Sequence, residues 1–276
     1  MDYTLLLIVV LLVVIGLVIL YSTSAYNGQV KFHDSFYYLK KQAFATVLGI
    51  VLMLFVAGMD YHIWQRLAVF GYLAAVALSV AVMLFGREIN GSKRWLALGP
   101  FSFQPSEFAK VALILFLADL VTKNVKTIGK MWTLCRIMFW ILPIVGLVGA
   151  SNLSTAIIIL GIGVILIFVA SPKYAQFALM GIAGACFMGI FLALESYRLE
   201  RLAIWRNPEK YEKGYQALQG LYAIGSGGVF GVGIGNSVQK LGFVPEAQND
   251  MIFSIICEEL GLAGAGIIVF LFLLLI

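Results

Sequence analysis

Long stretches without a charged residue are the feature that most constrains the fold of this chain. They occupy residues 3–26, 42–59, 67–86, 137–172 and 174–194. Each reaches or approaches the roughly 17–25 residues that a helix needs to cross a bilayer. The chain is 62% hydrophobic and 12% charged, with a mean hydropathy of +0.98, which exceeds the needs of a soluble core. The sequence therefore predicts an all-α, polytopic membrane protein.

The number of spans follows from these stretches. Residues 137–172 are too many for one helix, and the polar turn at 149–152 predicts a hairpin of two spans. A span that carries charge is predicted near 106–121, and the last begins near residue 251, which makes eight. The first segment lacks a basic flank and a cleavage site, so we interpret it as an anchor and not a removable signal peptide. The apolar run 269–276 has no polar flank, so we expect a C-terminally truncated chain.

The charge pattern favours an amino terminus on the cytoplasmic side. The short loops on the two sides carry equal numbers of cations, but loop 122–136 has four of them and no acid. In this orientation the loops at 86–106 and 195–250 share the outer side. The net charge of +5 fits lipid headgroups and topology, because no basic and aromatic platform for nucleic acid is present.

Acidic residues crowd the mouth of the last apolar segment, namely Glu246, Asp250, Glu258 and Glu259. A carboxylate at the entrance to a span loses hydration, so it must be paired, face a wet cavity or perform chemistry. Asp250 is followed directly by Met251, Ile252 and Phe253. We therefore predict that Asp250 is the reactive centre.

The segment 86–110 also lies on the predicted outer side. Ser106 is a candidate N-cap for the following helix, and Trp95 suits the headgroup region. Glu107 and Lys110 are spaced i, i+3 on one helical face. They either neutralise each other, so that the helix can begin in a partly dry place, or line a polar cavity, and the two roles are compatible.

The predicted loop 195–250 is far longer than usual connections, which indicates function. Apolar and aromatic residues alternate with cations such as Arg198 and Arg201 near its start, a pattern typical of a helix end at the membrane interface. The glycines at 225–235 favour a re-entrant loop that packs closely on helices over a phosphate-binding nest. A dinucleotide fingerprint is excluded because no strand precedes them.

Three blocks of sequence resemble one known family. They are GSKRWLALGPFSFQPSEFAK, NPEKYEKGYQALQGLYAIGSGGVFGVGIGNSVQK and VPEAQNDMIFSIICEELG. In content and order they are similar to the SEDS proteins (shape, elongation, division and sporulation), the group of FtsW, RodA and SpoVE. The resemblance covers the chain from the first span onward, and residues 214–216 and 235–240 look closer to the division and sporulation branch. Family members have ten spans, which agrees with a truncated chain.

The resemblance implies a peptidoglycan glycosyltransferase that polymerises lipid II at the outer face of the bacterial cytoplasmic membrane. Asp250 matches the essential aspartate of the family and would be the base, in a reaction that inverts the anomeric centre. The substrate-binding residues predicted beside it are Trp95, Glu107, Lys110, Arg198, Arg201, Lys240 and Glu246. Lys110 is the leading cation for the pyrophosphate because it is nearest the membrane plane.

The resemblance also implies partners, and it leaves alternatives open. The cofactor requirement is unknown, and a divalent cation, Mg or Mn, is an alternative to Arg and Lys for neutralising the pyrophosphate. The implied partners are a class B penicillin-binding protein that acts as a transpeptidase, undecaprenyl-pyrophosphate-linked glycan, and other division or elongation machinery. A lipid II flippase and a divisome scaffold are the competing functions. A flippase should carry charge near the middle of several spans, and the sequence indicates very little there.

Overall fold

The computed structural model describes residues 2–89, 92–98, 101–171, 173, 175–178, 181 and 203–276. The chain divides into two compact units. One comprises Met1–Gly58 together with Ile190–Ile276, and the other comprises Met59–Gly189.

The first unit contains helices α1 (Tyr3–Phe32), α2 (Tyr37–Ala57), α7 (Tyr215–Gly227) and α8 (Ile252–Leu275). Asp2 caps α1 by accepting hydrogen bonds from the backbone N–H groups of Thr4 and Leu5. Helix α1 packs against both α2 and α8, and α7 packs against α8. Helix α2 buries none of its residues, as expected of a helix that faces lipid.

The second unit contains helices α3 (Tyr61–Phe85), α4 (Pro105–Lys123), α5 (Met131–Ser151) and α6 (Leu153–Ala170). Its core includes an aromatic cluster in which Tyr72 stacks on Phe116 with ring centroids 4.4 Å apart. The Tyr72 hydroxyl donates to the carbonyl of Trp140 at 2.8 Å, which satisfies the one polar atom of that ring in an apolar place. This contact fastens α3 to α5.

A small antiparallel sheet joins α3 to α4. Strands β1 (Arg87–Ile89), β2 (Ser92–Leu98) and β3 (Phe101–Phe103) follow one another in order. These strands were not predicted from the sequence, because the three-residue strands β1 and β3 carry almost no periodic signal and β2 alone does not indicate a sheet. The sheet leaves the all-α class of the membrane domain unchanged.

The structure confirms a multi-pass helical membrane protein. Six helices in the described part of the chain are long and apolar enough to cross a bilayer, namely α1, α2, α3, α5, α6 and α8. Helix α4 coincides with the predicted charged span. The predicted hairpin is confirmed, since Asn152 separates α5 from α6 and accepts a hydrogen bond from the Thr155 N–H. The predicted span 174–194 falls mostly outside the described residues, so the total of eight stays a prediction.

The predicted N-cap of α4 is wrong by two residues. Helix α4 begins at Pro105, its N-cap is Gln104, and Ser106 is already its second residue. Proline is favoured at the first helical position because its missing N–H would be unpaired there in any case. The Ser106 hydroxyl instead accepts a hydrogen bond from Nε2 of Gln104 at 3.1 Å.

Candidate active site

Helix α8 is broken near its middle. Gly261 has φ +68°, a left-handed conformation that interrupts the helical hydrogen bonds on both sides. A break inside a membrane helix is stable only if other groups pair the released N–H and C=O groups. The segment 228–233, which follows α7, pairs them.

Four backbone hydrogen bonds join this segment to the break. The N–H groups of Val232 and Gly233 donate to the carbonyls of Glu258 and Glu259 at 2.9 and 3.0 Å. In return, the N–H groups of residues 262 and 263 donate to the carbonyls of residues 228 and 229, both at 3.0 Å. Segment 228–233 and the broken helix are therefore held together by backbone hydrogen bonds.

Glycine is required at the points of closest approach. A Cβ atom on Gly231 would lie 2.2 Å from the Glu259 carbonyl oxygen, and one on Gly227 would lie 1.9 Å from that of Cys257. Gly231 also has φ +78°. The prediction that these glycines let the loop pack closely on a helix is confirmed at both positions.

Two acidic side chains lie buried beside the break. Glu259 accepts hydrogen bonds from the Ser22 hydroxyl of α1 at 2.7 and 2.8 Å and from Nζ of Lys240 at 2.6 Å. Glu258 accepts from the Ser237 hydroxyl at 2.5 Å and from the Val238 N–H at 3.1 Å. Both carboxylates thus hold segment 237–240 against α8, and Glu259 also holds α1.

The position of these acids differs from the sequence expectation. Glu258 and Glu259 were expected at the mouth of the apolar segment, but Glu259 lies seven residues after Ile252, about 10 Å along the helix. Charge is therefore present within a span, contrary to the expectation that it is nearly absent there. The partners of Glu258 and Glu259 are protein groups, and they include the ammonium group of Lys240.

Asp250 lies in the turn that precedes α8, and it is exposed. The turn is held from two sides. Nδ2 of Asn27, on α1, donates to Oε1 of Gln248 at 2.9 Å, and Nε2 of Gln216, on α7, donates to the Pro245 carbonyl at 3.2 Å. An exposed carboxylate on a fixed backbone suits a group that must meet a substrate.

A small apolar cluster supports the same turn from beneath. Val244 and Ala247 are buried against Ala223 of α7 and Ile255 of α8. Glu246 has φ +53°, and its exposed carboxylate accepts a hydrogen bond from Nδ2 of Asn249 at 2.7 Å. Glu246 therefore stabilises the turn through its own backbone conformation and its hydrogen bond with Asn249.

A groove of about 340 Å³ lies beside the Asp250 turn in the same unit. Its apolar wall comes from α1, and its other wall includes Gln42 and Thr46 of α2. Gln248, Asn249 and Ile252, next to Asp250 in sequence, complete it. The groove thus combines a hydrocarbon-like wall with amide and hydroxyl groups.

In the second unit, Glu107 and Lys110 form the predicted ion pair. Oε2 of Glu107 lies 2.8 Å from Nζ of Lys110, and the two side chains are 58% and 26% exposed. Trp95 is half-buried on β2. The predicted pairing is confirmed, and the exposure leaves the ammonium group accessible.

The remaining predicted residues are placed differently. Arg198 and Arg201 lie outside the described residues. Lys240 is buried in its pair with Glu259, so a contact with pyrophosphate would require this pair to open. Among the residues that the structure describes, no three His, Cys, Asp or Glu side chains are grouped so that they could hold a metal ion.

The family is decided by a match over almost the entire chain. Residues 3–276 match the family model of the FtsW, RodA and SpoVE proteins, described as cell cycle proteins. The chain belongs to this family.

Members of the FtsW/RodA/SpoVE family are similar to it along its full length. Stage V sporulation protein E of Bacillus subtilis is 37% identical, over 100% of this chain and 77% of that protein. A probable peptidoglycan glycosyltransferase FtsW of Saccharophagus degradans is 33% identical, over 96% of this chain and 70% of that protein. The predicted family is thereby confirmed.

Solved structures of family members share the fold. One, from work on the structural coordination of polymerization and crosslinking by a peptidoglycan synthase complex, has a TM-score of 0.76 at 28% identity and covers 99% of this chain and 75% of that chain. The rod shape determining protein RodA of Thermus thermophilus has a TM-score of 0.67 at 26% identity, over 99% of this chain and 72% of that chain.

Several groups that shape this FtsW/RodA/SpoVE site were not predicted from the sequence. Ser22 and Ser237 hold the two buried acids, and Asn27 and Gln248 fix the Asp250 turn. For Ser22 and Asn27, which lie in α1, the available signal was that a polar residue in a span needs a partner. The partners of Ser22 and Asn27 lie more than two hundred positions away in the chain, so local spacing does not identify them.

Proposed function

We propose that this chain is a peptidoglycan glycosyltransferase that polymerises lipid II into glycan strands, with Asp250 as the general base. The observation that carries the proposal is the placement of Asp250, an exposed carboxylate on a turn fixed by α1 and α7, directly before a membrane helix. Relatives named probable peptidoglycan glycosyltransferases support the activity.

The proposed reaction is a single displacement. The 4-hydroxyl of the acceptor sugar attacks the anomeric carbon of the lipid-linked donor, and Asp250 takes the hydroxyl proton as the new C–O bond forms. The bond between the anomeric carbon and the pyrophosphate oxygen breaks, and undecaprenyl pyrophosphate leaves with that electron pair. The anomeric centre is inverted. Asp250 performs general-base catalysis, which typically contributes about 10²–10⁴-fold to rate.

Lys110 is proposed to stabilise the charge that develops on the pyrophosphate. Its ammonium group is paired with a carboxylate that is more than half exposed, so water weakens the pair and an incoming pyrophosphate can compete with it. Trp95, Glu107, Glu246 and the two arginines of the predicted loop, Arg198 and Arg201, remain proposed substrate contacts.

The proposed chemistry takes place at the outer face of the cytoplasmic membrane. The cation-rich loop 122–136 supports this orientation. A class B penicillin-binding protein is the proposed partner, and the similar structure from a peptidoglycan synthase complex that coordinates polymerization and crosslinking supports that pairing.

Transport of lipid II across the membrane is the competing function, and the buried charges near the break of α8 are the observation that bears on it. Broken helices with internal charges also occur in transporters. Here, however, the Lys240 ammonium donates hydrogen bonds to the Glu259 carboxylate and to the Ser22 hydroxyl. The backbone groups released at the break form hydrogen bonds with segment 228–233. This arrangement favours a structural role for the charges.

The decisive experiment compares Asp250→Asn with the wild type in the full-length protein, purified with and without its transpeptidase partner and supplied with lipid II. Asp250→Asn should fold normally and form no glycan polymer, since the substitution is nearly isosteric. Asp34→Asn, a partly exposed carboxylate of the same unit, is the matched control and should polymerise normally. Polymer of wild-type length and amount from Asp250→Asn would refute the base assignment.

A further inference from the structure

The groove beside Asp250 has two chemically different parts. Towards the middle of α1 it is lined by apolar residues around Gly16, including Leu17 and Leu20. At the other end stand the side chains of Gln248 and Asn249, directly before Asp250 in sequence. A ligand that fills the whole groove must therefore be amphiphilic, with its polar end at Asp250.

Helix α2 supplies an independent indication. It buries no residue against the protein, yet Gln42 and Thr46 lie one turn apart on the side that lines the groove. Polar side chains on a lipid-facing helix are costly unless they meet a polar partner. An amide and a hydroxyl both donate hydrogen bonds, which suits phosphate oxygens.

Gly16 leaves room within the apolar part. A Cβ atom built on it would meet no other atom within 4 Å, so glycine is not required there for packing. Its effect is to remove a side chain from the wall of the groove. A larger side chain at this position would fill the groove without disturbing the helix.

The reaction chemistry separates the two lipid-linked substrates. Asp250 must lie at the bond that forms, and the donor's pyrophosphate is attached to that same anomeric carbon. The acceptor reacts through the 4-hydroxyl at the far end of its disaccharide, so its own pyrophosphate lies two sugar rings away. A groove that begins next to Asp250 therefore fits the lipid of the donor.

We propose that this groove, between α1, α2 and the start of α8, holds the first isoprene units of the donor's polyprenyl chain, with Gln42 and Thr46 at its pyrophosphate. The inference rests on the proposed glycosyltransferase function and specifies which substrate lies where. It assigns to α1 and α2 the placement of the leaving group.

The first test fills the groove. Full-length Gly16→Leu is compared with Gly49→Leu, a control on α2 whose added Cβ also meets nothing within 4 Å. With a long polyprenyl donor, Gly16→Leu should raise KM about tenfold, the effect of excluding roughly two methylene groups, and leave kcat unchanged. With a short prenyl chain that ends before Gly16, neither variant should change KM. An equal effect of Gly16→Leu on both chain lengths would overturn the proposal.

A second variant covers the case in which Gly16→Leu fails to fold. Gln42→Leu keeps the size of the side chain and removes only its amide, so it should raise KM for long and short chains alike. Unchanged KM with both chains would contradict the assignment of the polar end.

The last test needs no turnover and distinguishes the donor from the acceptor. Lipid II analogues carry a photoreactive group in the first isoprene unit. One has its 4-hydroxyl blocked and can serve only as donor, and the other has a non-cleavable phosphonate and can serve only as acceptor. Cross-links to Leu17 and Leu20 from the donor-only analogue alone are expected.

Cross-links from the acceptor-only analogue alone, or complete competition by ordinary phospholipid, would overturn the proposal. If the wild-type protein forms no polymer but still binds the donor-only analogue in the groove, the proposed activity fails while the groove assignment stands. The two proposals can therefore fail separately.

Discussion

Nζ of Lys240 lies 2.6 Å from Oε1 of Glu259, and the two side chains are only 7% and 0% exposed. Ser22 joins them by accepting from Lys240 at 2.9 Å and donating to Glu259. Three separate parts of the chain, α1, segment 237–240 and α8, therefore meet at one buried ion pair. The energetics of this pair differ from those of the exposed pairs elsewhere in the chain.

Removal of one partner should be far worse than removal of both. Lys240→Met leaves the Glu259 carboxylate buried without a counter-charge and should destabilise the protein by about 3–5 kcal/mol. The double variant Lys240→Met with Glu259→Gln should recover a large part of that loss. The thermal midpoints of the single variants and the double variant in detergent, arranged as a double-mutant cycle, give the coupling.

Lys40 and Asp34 provide the control for this cycle. They pair at 2.8 Å with Lys40 69% exposed, so Lys40→Met should change the midpoint very little. The hydrogen bond from Lys40 holds the pKa of Asp34 below its ordinary value. The contribution of this pair is thus present above the unfolded pKa and is lost as pH falls through the folded one. Similar effects of Lys40→Met and Lys240→Met would contradict a special role for the buried pair.

Gly231 should not tolerate a side chain. Gly231→Ala combines φ +78° with a Cβ atom 2.2 Å from the Glu259 carbonyl oxygen, so we expect a loss of at least about 1–3 kcal/mol. Gly225→Ala, in the last turn of α7 with open space around the added atom, should be neutral or stabilising by about 0.4–1 kcal/mol. Equal stability of the two variants in thermal unfolding would show that the loop does not pack on the break as described.

Lys110 should matter for activity more than for stability. Because Glu107 is 58% exposed, its pair with Lys110 should contribute at most about 1 kcal/mol. Lys110→Met should therefore fold with a nearly unchanged midpoint and lose polymerisation. If the pair is only structural, adding Glu107→Gln should restore activity to Lys110→Met. An inactive but stable double variant supports the role at the pyrophosphate.

The orientation can be tested with single cysteines in a background in which Cys135, Cys186 and Cys257 are replaced. Cysteines at Ser102 and Glu212, both exposed, should react with a membrane-impermeant thiol reagent added to intact cells, whereas one at Lys126 should not. Glu212 is preferable to its neighbour Gly214, where a Cβ atom would lie 2.1 Å from the Pro208 carbonyl oxygen. Labelling at Lys126 alone would place Asp250 in the cytoplasm and refute polymerisation at the outer face.

The sequence by itself determined the class of the protein and the candidate centre. Charge-free stretches long enough to cross a bilayer predict spanning helices, because backbone groups in lipid must bond within their own segment. The hairpin at Asn152 and the i, i+3 pair of Glu107 and Lys110 were also predictable, because both depend on residues that are close together in the sequence. Asp250 was identifiable by its place directly before an apolar run.

Only the tertiary structure decided what surrounds Asp250. The break in α8 at Gly261 is not specified by the local sequence of the span, and it exists because segment 228–233 pairs the released backbone groups. Lys240 is an ordinary loop cation by sequence, yet contact with Glu259 and Ser22 buries it. The groove beside Asp250 likewise needs α1, α2 and residues 248–252 together. Local spacing cannot specify such arrangements. Removing a polar group from water costs free energy unless a partner binds it, and here the partners come from distant segments of the chain.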